Sequence, residues 1–385
     1  MALMVHKMVS PQRGFHEGTC KWGVAQLSCQ SVRRTNLMQV LLMIAAIFMV
    51  EVRAFGQTMY SIQAIPLPGG FVHFVPHHIN SKGWVAGKVK RNPSMNPVDG
   101  RPCVFDGHSV RVLPGFGSGS LPFGCAFSVD NNGSVIGGVQ SKSGPWRAVI
   151  WKHGKLFPLR PEPDADPNHD SYCIAINDRG WIAGQDINYH AFFYKSGHVT
   201  DIGNLGVSIT FVTGLNNIGD VVGYSAVDNV RNAGFVWSNR TLVKLPSLGG
   251  RESAALAINN LRTVVGQADT QDNQQHACKW VNHKPVDLYT LGGTRSEASS
   301  INNFDVAVGW SIGRQGVSRA VMWDRAGIWD LNQKLVNPGR WTLRDAIGIN
   351  DKGQIVGTGM LGNLDRAFIM TPVRTPLQRA KNRLQ

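Results

Sequence analysis

One unit recurs seven times along the chain, and no other feature of the sequence constrains the fold as tightly. The segments HINSKGWVAG, SVDNNGSVIG, AINDRGWIAG, GLNNIGDVVG, AINNLRTVVG, SINNFDVAVG and GINDKGQIVG place an amide or acid at Asn80, Asp130, Asn177, Asn216, Asn259, Asn302 and Asn350. A glycine follows seven residues after each, at Gly87, Gly137, Gly184, Gly223, Gly266, Gly309 and Gly357. The mean period is 45 residues. A second column trails each segment, formed by Phe105, Trp151, Tyr194, Trp237, Trp280, Trp323 and Met370. Three places before it stands a Pro or a small residue, and eight places after it six copies carry Leu or Ile, from Leu113 to Leu331.

Each unit reads as four short strands. Small residues four and two before the Asn, such as Ala255 and Ala257, suit an innermost strand crowded by other backbones. The turn Asn177-Asp178-Arg179-Gly180 supplies a glycine where a short hairpin needs positive φ, and its Asn and Asp can bond the backbone two residues on. Arg262 and Asp305 replace that glycine in copies five and six. Arg adopts the left-handed region less readily than Asp, so the fifth turn is expected to be strained or differently shaped. The second strand is the VVG run, the third carries the aromatic, and the fourth holds the Leu.

Four strands per unit cannot cover both faces alone, and seven units fit a closed ring with short edges. The expected fold is all-β, a seven-bladed β-propeller of four-stranded antiparallel blades; a β-solenoid and a pair of smaller β domains are the weaker alternatives. The seventh unit stops at RAFIM, meets Pro372 and lacks its fourth strand, while YSIQAIPLPGG at residues 60–70 resembles TLVKLPSLGG at 241–250. Residues 60–66 are therefore expected to pair beside Met370 and close the ring. The expected organisation is an export-signal region over 1–54, the propeller over 55–372 and a basic tail over 373–385.

The export reading rests on Arg33 and Arg34 ahead of the 14-residue apolar run LMQVLLMIAAIFMV, with Ala54 beyond it. The run is shorter than the roughly 20 residues that span a bilayer. It implies a secreted or periplasmic protein without a stable membrane anchor. The 32 residues before Arg33 have no periodicity, consistent with a later start such as Met38. With 43 Gly and 19 Pro, one residue in about six is a punctuator, which disfavours long helices. The net charge of +14 suggests a nucleic-acid footprint until it is located. From residue 55 onward 33 basic residues stand against 23 acidic ones, scattered through every unit, so nucleic-acid binding is not expected. Six cysteines are too few for a disulfide scaffold, and spacing leaves open whether Cys103, Cys125, Cys173 and Cys278 pair.

The motif AIN(D/N)xGxVVG, then (H/R)AF, then DLGxLGG resembles the HAF repeat of extracellular bacterial proteins. It stands here as Ala175 to Gly184, His190-Ala191-Phe192 and Asp201-Ile202-Gly203-Asn204-Leu205-Gly206. The basic member recurs as Arg147, His190, His276, Arg319 and Arg366, with Arg101 before Pro102 in copy one. The likeness covers about residues 60–372. It implies an exported propeller-like protein and transfers no catalytic residue. The marks of WD and kelch repeats are absent in register.

No catalytic, cofactor or metal residue is assigned, and no cofactor is expected. The Asn column reads as hairpin caps, with a channel rim as the alternative, and the His or Arg column reads as a stem covering a neighbouring aromatic with its head in water. His77-His78 sits on opposite faces of a strand, a poor geometry for one metal. The insertion PEPDADPNHD places Glu162, Asp164, Asp166, Asn168 and Asp170 on alternate residues as half a calcium loop does, but His169 replaces the turn glycine and Ala175 the closing Glu. The leading reading is a non-catalytic, monomeric binding platform for a protein or glycan ligand at one rim. The competing readings are a structural envelope protein and a polysaccharide lyase or hydrolase. A glycosidase would need two carboxylates, among Asp106, Asp130, Asp186 and Asp220, about 5 to 9.5 Å apart across a cleft.

Overall fold

The structure, a computed structural model, describes residues 58–92, 100–116, 123–140, 145–159, 171–186 and 188–373. The export segment, the acidic insertion from Glu162 to Asp170 and the tail beyond Val373 lie outside the described residues. Every described strand belongs to one of seven four-stranded antiparallel blades. Their innermost strands are His73–Ile79, Phe123–Val129, Ser171–Ile176, Thr210–Leu215, Gly249–Ile258, Gly292–Ile301 and Trp341–Ile349. Within each blade the strands run in order outward, and the fifth and sixth blades are additionally bridged where Gln275 pairs in parallel with Arg295.

Ring closure is as expected. Tyr60–Ala64 pairs antiparallel with Leu364–Pro372, in the register Tyr60 opposite Pro372, Ile62 opposite Met370 and Ala64 opposite Phe368. Tyr60 and Ile65 are buried, whereas Ile62 and Ala64 are only half covered, so the anchors of the closing strand are its two ends rather than its middle. In the other blades the Leu or Ile of the fourth column lies one residue past the outer strand, not within it, and in the first five it donates its main-chain N–H to the Pro or small residue of the third strand. Examples are Leu245 to Gly234 at 2.7 Å and Leu288 to Ala277 at 2.9 Å. Ile65 makes the same bond to Ala367 at 2.9 Å, and so supplies from the N-terminus the member that the seventh unit lacks.

The core is divided into seven apolar clusters, one at each blade interface. Trp280 and Ile258 of the fifth blade pack on Val222 and Leu245 of the fourth, for example, and Phe105 and Ile79 of the first pack on Val356 and Ile369 of the seventh. The aromatic column thus covers neighbours from another unit, which is why single blades have no core of their own.

A feature absent from the sequence reading is a β-bulge at one register position in all seven innermost strands, at His77, Phe127, Ile174, Thr213, Leu256, Ser299 and Ile347. Bulges bend a strand and raise its twist. Here each bulge brings a carbonyl of the innermost strand against the recurring glycine of the second. A Cβ built on any of the seven glycines would collide with that oxygen, as with Phe211 O at Gly223 and Glu297 O at Gly309. The glycine column is therefore a close-approach requirement rather than a turn requirement.

Candidate functional site

The Asn column does more than cap its hairpins. In each turn the Asn Oδ1 accepts from main-chain N–H groups two and four residues on, as Asn177 does from Arg179 and Trp181, both at 3.0 Å. Its Nδ2 points the other way and donates to the carbonyl of the equivalent residue on the next blade. The distances are 2.8 Å from Asn80 to Asp130, 2.9 Å from Asn177 to Asn216, 3.2 Å from Asn216 to Asn259, 3.1 Å from Asn259 to Asn302 and 3.3 Å from Asn302 to Asn350. Asn350 then donates to Asn80 at 2.9 Å, joining the last blade to the first. Only an amide carries both the acceptor for the turn and the donor for the neighbour. Asp130 has no such donor, and that step of the ring is left to the following residue.

A second ring, open between Asp351 and Ser81, runs beside the first. The main-chain N–H of Ser81, Asn131, Asp178, Asn217, Asn260 and Asn303 each donates to the side-chain Oδ1 of the next blade's residue, at 2.8 to 3.0 Å. Asp178 also accepts from Nδ2 of Asn131 and of Asn217, both at 2.9 Å, which compensates at Asp130. The two rings surround a shallow polar mouth of about 140 Å³, floored by the residues just before the Asn column, among them Ile79, Ile258 and Ile349. The sequence showed the turn caps because those bonds are local; the donors that cross between blades had no local signal.

The fifth turn keeps the shape of the others. Arg262 takes φ 64° and donates its N–H to Asn259 O at 3.1 Å, as Gly180 does to Asn177 O at 2.9 Å, and Asp305 takes φ 63°. The left-handed backbone at Arg262 is thus accepted, and its Nε donates to Asp220 at 2.9 Å.

The carboxylates weighed for glycoside chemistry are each engaged, three within their own blade and Asp220 with a side chain of the next. Asp130 is buried and accepts from Asn132 and Ser134 N–H, and Asp106 accepts from His108 and Ser109. Asp186 pairs with His190 at 3.1 Å, and the buried Asp220 with Arg262. Among the described residues no group of three or more His, Cys, Asp or Glu is placed to hold a metal ion. Of the basic column, Arg101 lays its guanidinium head rather than its stem over the Phe123 ring at 4.1 Å, and His190 and His276 pair with Asp186 and Asp287. His78 accepts weakly from Val129 N–H at 3.4 Å, while Nε2 of His77 is buried without a partner among the described residues, so the pair is neither fully satisfied nor solvent-facing. Burial lowers both imidazoles to about 4, with Lys88 adding to the effect at His77, and both are neutral at pH 7. Cys103, Cys125, Cys173 and Cys278 are buried free thiols; burial pushes Cys125 and Cys278 up to about 12.

Sequence reading missed a like-charge pair, Glu297 and Asp345, at the same register position of two adjacent innermost strands. Glu297 is raised by burial against the opposing effect of a Trp310 hydrogen bond. Asp345 is pushed up to about 6, first by burial and then by repulsion from Glu297, and its Oδ1 is buried without a partner among the described residues. Its folded value lies above the ordinary 3.8, so the native state holds a proton that the unfolded chain has released. The contribution of this group to stability therefore declines as pH rises from about 4 to about 6, against the rise that the two depressed imidazoles contribute over the same range. Asp345→Asn is expected to flatten that decline and to stabilise the protein at pH 7.5 by ~2 kcal/mol, with little gain at pH 4. Urea unfolding at the two pH values measures it; an equal effect at both would show that the carboxyl carries no such burden.

Among the described residues no helix is long and apolar enough to cross a membrane. No family model and no curated protein matches the chain. Similar solved structures include a chain of the mitotic checkpoint complex, 11% identical with TM-score 0.42, covering 94% of this chain and 99% of that one. Another is YCF48 with a bound peptide, 11% identical with TM-score 0.43, covering 82% and 96%. A third is TolB from Acinetobacter baumannii, 9% identical with TM-score 0.41, covering 80% of this chain and 66% of that one. At such scores these likenesses carry nothing about ligands, and the seven-bladed propeller rests on the sheet order and ring closure themselves.

Proposed function

We propose that the chain is an exported, non-catalytic propeller that serves as a rigid platform for a protein or glycan ligand at the rim formed by its first hairpin turns. The observation that carries this reading is the double ring of hydrogen bonds, which locks seven near-equivalent turns around one polar mouth. Preorganisation of that kind lowers the ordering cost of binding. The carboxylates near this rim are occupied in holding turns, which favours binding over acid–base chemistry. Export is supported by the charged and apolar signal ahead of Ala54, and the HAF-like motif supports an extracellular role for the repeat.

The test is a glycan array and a random-sequence peptide array probed with the full chain, each with and without EDTA. Saturable binding without turnover of the bound ligand is expected, and an EDTA-sensitive fraction would bring in the insertion from Asp164 to Asp170. Progressive cleavage of a bound polysaccharide would favour the lyase or hydrolase reading, and absence of binding on both arrays would favour a structural role in the envelope.

A further inference from the structure

The tips of the seven first hairpins are not equivalent. Each tip residue lies two places after the Asn column, and its neighbours round the ring are the tips of adjacent blades. In blades four, five and six the tips are Ile218, Leu261 and Phe304, which are 43%, 68% and 56% exposed. In blades seven, one, two and three they are Lys352, Lys82, Asn132 and Arg179, all exposed. The rim is thus divided into one continuous aliphatic-aromatic sector and one continuous polar sector with three cations, on opposite sides of the same mouth. Scattered apolar residues on a surface need no explanation, but three on consecutive repeats at one register position form a patch.

Charge on the same face agrees. In an antiparallel blade the turn between the third and fourth strands lies at the same end as the first hairpin. Those outer turns carry Lys152, Lys155, Lys195, Arg240, Lys284 and Arg325 against Asp106 and Asp324. The five acids of the inner turns are all engaged: Asp130 accepts from Asn132 and Ser134, Asp178 from Asn131 and Asn217, and Asp351 from Asn303, while Asp220 pairs with Arg262 and Asp305 with Lys279. Arg179 is held in place over the Trp181 ring at 5.0 Å. The face therefore offers a positive field with one apolar sector.

From this we infer that the occupant of the rim is an acidic polypeptide segment bearing bulky aliphatic side chains, which seats those side chains on Ile218, Leu261 and Phe304 and its carboxylates on Lys82, Arg179 and Lys352. The inference rests on the platform reading above and names the partner's chemistry. A sugar ring prefers a flat aromatic face, and two of the three apolar tips are aliphatic. An anionic bilayer would meet all seven tips at once, yet four of them are polar. A peptide laid across the mouth satisfies both sectors, and apolar anchors beside complementary charge are the usual division of labour in such sites.

The test uses the full chain on a random-sequence 12-residue peptide array, with vesicles of phosphatidylglycerol and a glycan array in parallel. Bound peptides are expected to be enriched in Asp or Glu together with Leu, Ile or Phe. Leu261→Ser with Phe304→Ser, and separately Lys82→Glu with Lys352→Glu, should each weaken the best peptide by about tenfold or more. Val230→Ser, at a residue 81% exposed in a loop between second and third strands, should leave it unchanged. Unaltered melting temperatures keep the comparison free of folding effects, since every substituted side chain is exposed. Saturable glycan binding that ignores both double variants would overturn this inference while leaving the platform reading in place. Vesicle binding lost in the double variants, with no peptide bound, would overturn it in favour of a membrane. No binding to any of the three probes would overturn both readings.

Discussion

Deleting residues 55–66 is expected to unfold the propeller or drive it to aggregate at room temperature, whereas truncation after Val373 should leave its stability nearly unchanged. The first deletion removes Tyr60 and Ile65, each 2% exposed, from two different blade interfaces. Their burial is worth roughly 1.5 to 3 kcal/mol apiece by transfer alone. It also removes the five-residue pairing with Leu364–Pro372, the bond from Ile65 N–H to Ala367 O and the bond from Val336 N–H to Tyr60 O. Against a typical stability of about 5–15 kcal/mol the combined loss is a large fraction, and the freed edge of the last blade is a template for another chain. Denaturant unfolding and size-exclusion chromatography measure the two consequences. Cysteines at Ser61 and Thr371, opposite each other in the register, should form an intramolecular cross-link. Equal stability of the two truncations, with no cross-link inside one monomer, would mean that the ring is not closed this way.

The second large effect is expected at the glycine column. Gly223→Ala places a methyl group against Phe211 O, a main-chain atom that cannot move without straightening the bulge at Thr213. A cost of about 2–3 kcal/mol follows from overpacking at a site with no flexible neighbour to yield. Gly69→Ala is the matched control, since a Cβ there meets nothing within 4 Å. Urea unfolding of both variants decides it. A Gly223→Ala protein as stable as Gly69→Ala would show that the second strand can shift away from the bulge, and the column would then need another account.

The deletion prediction draws mainly on relations legible in the sequence; the glycine prediction does not. The count of units, the order of strands within each, and the identity of the closing strand follow from a period of 45 residues and from one orphan fragment at each end. Each of these is a local or a periodic signal, so composition and spacing suffice. The Oδ1 bonds of the Asn column are likewise local, reaching two to four residues, and the capping role of Asn177 or Asn302 was readable for that reason. The shape of the fifth turn was not, because whether Arg262 would tolerate positive φ depended on the turn being held from outside by the neighbouring blade.

What only the tertiary structure decided concerns atoms some 40 to 50 residues apart, brought together by the curvature of the ring. The same Asn that caps a turn donates from Nδ2 to the next blade, and nothing in a single unit shows where that donor points. Glu297 and Asp345 look like ordinary polar residues in their own strands, and become a repelling half-buried pair only when the sixth and seventh blades pack. The tips Ile218, Leu261 and Phe304 are unremarkable single residues until closure sets them side by side on one rim. Repetition in the sequence therefore determined the blade and the number of blades. The radial packing of one blade on the next determined which residues meet, because each blade completes its core, its hydrogen bonds and its surface only with its neighbour.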